Sequence, residues 1–296
     1  MTAVGVLAPR ATTARSRAAD ARRDRLAALI FGCLSLFAIA AAWQGAIELG
    51  LLDIAFIGSP VSIYKAAQRL VLNGILPTDV AVSAGRVLVG FALSCAVAVP
   101  LGLAIGCSRL LRAIFDPVIS LIRPLPSLSW IPLSMMWLGI GESQKYAIVF
   151  MGTLAPTLVF VINETEQVDR VLVRAARNLG AGPVALLLDV ILPSALPGIL
   201  SALKVTLAIA WACIISAEMV GATSGLGFLI WNAKDWGNIS QVLVGMLTIS
   251  ASVLALDILH RAATRLLTPW RRNERTSRGM PRRMQRGLDT TRRTTR

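Results

Sequence analysis

The sequence predicts an all-α integral membrane protein with six transmembrane helices. Three observations carry this. Hydrophobic residues make up 55% of the 296 and charged residues only 16%, where a soluble domain carries about a quarter charged. The apolar residues also fall in blocks that match the roughly 20 needed to cross the hydrocarbon core. Finally, the formal net charge of +14 is concentrated at the chain ends. Residues 1–25 hold six arginines against two aspartates, and residues 271–296 hold ten arginines against two acids. Such tails suit solvated ends beside anionic lipid. They leave little positive charge in the middle, so nucleic acid is not an expected partner. Neither tail has apolar periodicity, and 1–25 and 269–296 are expected to be disordered.

Within the membrane domain, residues 26–268, spans are expected at about 26–49, 82–107, 114–139, 146–163, 197–220 and 239–259. The first begins after the basic tail and is too long for a signal-peptide core. Between spans one and two lies GSPVSIYKAAQRLVLNG. Here Ser59 can cap, Pro60 suits the first helical position and Asn73-Gly74 is a stop signal, giving a short surface helix. Span two carries Gly102 and Gly106 four apart, which permits close helix contact. Span three contains Pro117, Pro124, Pro126 and Pro132, each of which removes a backbone hydrogen bond or bends the helix. Span six ends with Asp257 and Arg261 placed for an i,i+4 pair. An even span number puts both termini on one side, and the arginine tails put that side in the cytoplasm.

The segment VRAARNLGAGPVALLLDVILPSALPGI, residues 173–199, follows span four. Arg170, Arg174 and Arg177 share one helical face, and Val171, Ala175 and Leu179 another. Gly180 reads as a helix-ending C′ glycine, and Pro183 opens a second short helix, Val184 to Leu192. Nine residues reach only about 13 Å, too short to cross. Pro193 and Pro197 are expected to break the chain before span five. The residues alone allow two readings: an interfacial hairpin tied to its own bundle, or a pair of short helices that plugs into a partner.

This segment resembles the EAA loop of ABC-importer permeases. The pattern matches at Ala175, Ala176, Gly180, Val190, Leu192 and Pro193, with Ala181 after the glycine. Its acidic position holds Arg174 instead. RPLPSLSWIPLSMMWLGIGESQK, residues 123–145, resembles the proline-rich third span of permeases for nitrate, sulfonates and taurine. SAEMVGATSGLGFLI, residues 216–230, resembles the segment ending their fifth span. The resemblance covers about residues 59–268. It implies a type I ABC importer (MetI-like) permease fold with both termini inside, in the cytoplasmic membrane. It also implies a coupling loop at 168–193, two separate ATPase subunits docked on such loops, a second permease subunit as a homodimer, and an external solute-binding protein. No cofactor is implied. Span three, with Ser127, Ser129, Trp130, Ser134 and Met135, becomes the candidate lining of the translocation path for a small anion.

Other classes find less support. A Walker A loop needs a lysine after a glycine, and none of Lys65, Lys145, Lys204 or Lys234 follows one. ATP handling therefore belongs to another chain. An ion-coupled secondary transporter would need ionisable groups inside the membrane. The candidates, Lys204 and Glu218, are placed towards opposite ends of span five. Intramembrane catalysis would need a cluster around the single histidine, His260, which sits at the edge of span six. Cys33, Cys95, Cys107 and Cys213 lie singly in apolar runs, as small buried residues do.

Overall fold

The computed structural model describes residues 57–268 continuously and, before them, 27, 30–32, 34, 35 and 37–51. The expected disordered tails, 1–25 and 269–296, and Cys33 lie outside the described residues. The chain divides into two units, Met1–Arg69 and Leu70–Arg296.

The first unit holds α1, Ile30–Glu48, and most of α2, Pro60–Leu72. Ser59 Oγ accepts from the Ser62 N–H at 3.0 Å, and the Ser62 Oγ in turn accepts from the Ser59 N–H at 2.9 Å. This reciprocal pair satisfies amides that no helical carbonyl reaches. Gly74, after α2, takes a φ of 72°.

The second unit is helical, with no strand among its described residues. It runs α3, Ile75–Cys107; α4, Arg109–Ile122; a 3₁₀ turn, Ser127–Ser129; α5, Trp130–Leu138; and α6, Glu142–Glu166. Then come α7, Arg170–Asn178; α8, Pro183–Gly221; α9, Leu226–Asp235; and α10, Ile239–Leu267. Among the described residues five helices, namely α1, α3, α6, α8 and α10, are long and apolar enough to cross a membrane.

Helices α3 and α6 form the centre of this unit and run parallel. A Cβ added at Gly90 would lie 2.6 Å from the Val149 Cβ, one at Gly102 2.8 Å from Val161, and one at Gly106 2.7 Å from Thr165. The sequence offset is the same in all three pairs, so the register holds along the helices. Ser94 and Ala98 are fully buried between these glycines, completing a ridge of small residues four apart that lets the two backbones approach closely. Leu103 and Val161 continue the packing onto Ala195 and Ile199 of α8.

Two expectations are corrected. Span three, read as 114–139, is not one helix. The chain leaves α4 at Ile122 and turns through Arg123–Pro126 before α5. Pro124 and Pro126 lie in this break and cannot donate to a helical ladder. The second correction concerns Pro193 and Pro197, which do not break the chain. Helix continues from Pro183 to Gly221, passing through a π turn at Leu186–Ile191. Leu192 N–H donates to the Leu187 carbonyl, five residues back. This wide turn ends just before Pro193, which has no N–H to place, so the helix absorbs it. The nine-residue second helix expected at 184–192 is therefore the opening of α8.

Candidate functional site

Helix α7 starts at Asp169, whose carboxylate accepts from the Val171 N–H at 2.8 Å. It ends in a Schellman closure. Gly180 N–H donates to the Arg177 carbonyl and Ala181 N–H to the Ala176 carbonyl, both at 3.0 Å. Gly180 has a φ of 85°, which a side chain disfavours by roughly 1–2 kcal/mol. The chain reverses there and enters α8 at Pro183. Arg174, Ala175 and Gly180 are exposed, while Ala176, Ala181, Leu192 and Pro193 are half-buried. Around them Val171, Leu172, Val184 and Leu188 are exposed, and Leu179 is 88% exposed. An exposed apolar set of this kind, flanked by Arg170, Arg174 and Arg177, has the composition of an interaction surface.

The broken third segment places its predicted residues unevenly. Ser127 and Trp130 line a cleft of about 380 Å³ against α6, together with Arg123 and Asn163. Ser127 is seated on Gly152, where an added Cβ would come within 3.0 Å of its own. Ser134 is buried and donates to the Ile131 carbonyl at 2.8 Å, so its hydroxyl is used inside the helix. Ser129 is exposed and Met135 half-buried; neither lines the cleft.

A buried polar cluster at the opposite end of α3 and α6 from α7 was not expected from the sequence. Arg86 donates to Glu142 through Nε at 2.7 Å and Nη2 at 2.5 Å, a two-pronged contact. Its Nη1 reaches Glu218 Oε1 at 2.7 Å and the Ser224 carbonyl at 2.8 Å. Lys145 donates to Glu142 at 3.1 Å. The first amides of α9 are capped by side chains from other helices. Gly225 N–H donates to Asp79 at 2.8 Å, Leu226 N–H to Ser83 Oγ at 2.9 Å, and Gly227 N–H to Glu218 Oε2 at 2.9 Å. Carboxylates suit this position because a helix N-terminus carries partial positive charge. Gly225 itself has a φ of 111°, and a Cβ there would collide with Glu218. The sequence signal was present: Asp79, Ser83 and Arg86 fall on one helical face.

A second ionic group ties α8 to α10. Lys204 Nζ lies 3.0 Å from Asp257, which also meets Arg261 at 2.6 Å. Lys204 and Glu218 thus sit in separate groups. The expected Asp257–Arg261 pair is present. Arg112 of α4 pairs with Glu166 at the end of α6.

The described residues thus combine long apolar helices, a proline-broken segment beside a cleft and an exposed helical elbow between two spans, as a membrane permease would. The match to known proteins agrees. Residues 98–273 match the family model for the binding-protein-dependent transport system inner membrane component, and the chain belongs to that family. It is a multi-pass permease of the cytoplasmic membrane. Among relatives, the taurine transport system permease protein TauC of Escherichia coli is 33% identical over 233 residues, covering 77% of this chain and 85% of the relative. The nitrate import permease protein NrtB of Synechocystis sp. is 26% identical, covering 67% and 76%. Among solved structures, an inward-facing form of the MetNI methionine ABC transporter aligns with a TM-score of 0.57 at 22% identity, covering 67% of this chain and 96% of that one. This last likeness is one of fold. The curated relatives are transport permeases, not enzymes.

Proposed function

We propose that this chain forms the membrane path of an ATP-driven importer for a small anion of the sulfonate, taurine or nitrate kind. In this reading both termini are cytoplasmic. Two copies of the chain pair across the path, two separate ATPase subunits dock on the α7–α8 elbow of each half, and an external binding protein delivers the solute. The observation that carries the coupling role is the elbow itself. It exposes Val171, Leu172, Leu179, Val184 and Leu188, and it runs without interruption into α8. A push on such a surface enters a long helix directly. The names of the relatives, permeases for taurine, aliphatic sulfonates and nitrate, support this substrate class.

The test is reconstitution of the full-length chain with the ATPase and binding protein encoded beside its gene. Uptake of radiolabelled taurine, ethanesulfonate and nitrate is followed in proteoliposomes loaded with ATP. The expected result is ATP-dependent uptake of one of the three, with no ATP hydrolysis by the chain alone. Accumulation driven by an ion gradient in vesicles lacking any ATPase subunit would overturn the reading in favour of secondary transport.

A further inference from the structure

We infer that Arg123 is an anion-holding group of the translocation path, with Ser127, Trp130 and Asn163 as its neighbouring donors. This rests on the permease reading above and adds the residue that recognises negative charge. Arg123 occupies the break between α4 and α5, where Pro124 and Pro126 stop the helical ladder. Among the described residues that line the 380 Å³ cleft it is the only charged one. Its guanidinium is exposed and forms no ion pair with any described residue. Arg112 of the preceding helix, by contrast, meets both Asp116 and Glu166.

A guanidinium that no described carboxylate of its own chain neutralises is available to a charge that comes and goes. Arginine suits that task. Its planar fork offers parallel N–H donors that match two oxygens of a sulfonate, carboxylate or nitrate, and it stays charged at every physiological pH. The surrounding donors are neutral: a hydroxyl from Ser127, the indole N–H of Trp130 and the amide of Asn163. The remaining lining is apolar, including Val159, Phe160 and Ile209. One fixed positive charge among neutral donors attracts an anion without trapping it. A cleft of this volume lies at the small end of ligand sites, suiting a small solute. A lipid headgroup phosphate offers the same chemistry, and the experiment separates the two sources.

The test uses the full-length chain in lipid nanodiscs, with its native cysteines replaced and Ser127→Cys introduced. The introduced thiol is reacted with sulfonatoethyl methanethiosulfonate, itself a sulfonate, and with the cationic trimethylammonioethyl reagent. In each case the thiolate attacks the reagent's sulfenyl sulfur, a disulfide forms and methanesulfinate leaves. Taking the ratio of the two rates removes any change in thiol reactivity. With Arg123 present the anionic reagent is favoured. Arg123→Gln lowers the anionic-to-cationic ratio about tenfold, as expected for loss of one nearby unit charge. Arg123→Lys, which keeps the charge, retains most of the ratio. The same values are expected in phosphatidylcholine and in phosphatidylglycerol. An unchanged ratio in Arg123→Gln overturns the inference. So does a thiol that neither reagent reaches. Loss of the preference in phosphatidylglycerol alone assigns the guanidinium to lipid phosphate and also overturns it. The measurement needs no partner subunit, so a negative result beside demonstrated ATP-driven uptake removes this inference and leaves the permease function standing.

Discussion

Arg86 of α3 and Glu218 of α8 are 132 positions apart in the chain and meet at 2.7 Å. The Glu218 side chain is fully buried, and that of Arg86 is 4% exposed. Two buried charges of opposite sign hold together helices that share no neighbouring sequence. Removing Arg86 leaves Glu218 a buried charge with neutral donors but no counter-charge, so Arg86→Met is expected to destabilise the protein by about 3–5 kcal/mol. The double variant Arg86→Met with Glu218→Leu is expected to recover part of that loss. Thermal unfolding in detergent measures both. Equal melting temperatures for Arg86→Met and the wild type would show that the pair contributes nothing.

The small-residue ridge on α3 gives a prediction of opposite signs on one helix. A methyl at Gly102 meets Val161 at 2.8 Å, whereas one at Gly85 meets nothing within 4 Å. Gly102→Ala should therefore destabilise by about 1–3 kcal/mol through overpacking. Gly85→Ala should stabilise by about 0.5–1 kcal/mol, because alanine favours helix over glycine. A shared sign for the two changes would mean that the α3–α6 approach is looser than the geometry shows.

At the elbow, Gly180→Val places a β-branched residue at a φ of 85°. The expected phenotype is protein inserted at normal level, with weak ATPase association and little uptake. Gly180→Asn should be milder, since asparagine tolerates the left-handed region best after glycine. The readouts are membrane yield, co-purification of the ATPase and solute uptake. Normal transport by Gly180→Val would remove the elbow from the mechanism.

The Lys204–Asp257–Arg261 group predicts an asymmetry between its members. Lys204→Met leaves Asp257 paired with Arg261. Asp257→Leu strands both cations at once. The aspartate variant should therefore lose more folded protein than the lysine variant, judged by the monodisperse peak in size-exclusion chromatography. The reverse order would indicate that Lys204 has a partner of greater weight than Asp257.

Much of this architecture could be read from the residues. Long apolar runs announce the spans because lipid leaves a backbone no alternative to internal hydrogen bonding. Gly180 was legible because helix ends select glycine for a local reason. Gly102 and Gly106 were legible as a spacing, while their partners Val161 and Thr165 were not, since register depends on the whole fold. The polar cluster escaped because the span expected at 82–107 leaves out Asp79, and because the partners of Arg86 lie 56 and 132 positions away in the chain. Charges that pair across helices look like span boundaries in a one-dimensional reading. The prolines misled in both directions. Pro124 and Pro126 break their helix, while Pro193 is absorbed by a π turn, and the difference lies in backbone geometry that no local pattern records. Arg123 was read only as part of a motif, because the cleft beside it is built by α6.

The constant offset between α3 and α6 has a mechanical consequence. Gly90, Gly102 and Gly106 are each locked against a β-branched side chain in the same register, so sliding either helix along the other by one residue would drive every contact into collision at once. The pair therefore has no soft coordinate along its length and acts as a stiff rod. At one end this rod carries the charge cluster that caps α9, and at the other it runs into α7. Displacement at either end is transmitted by tilting or rotating the rod as a whole, not by stretching it.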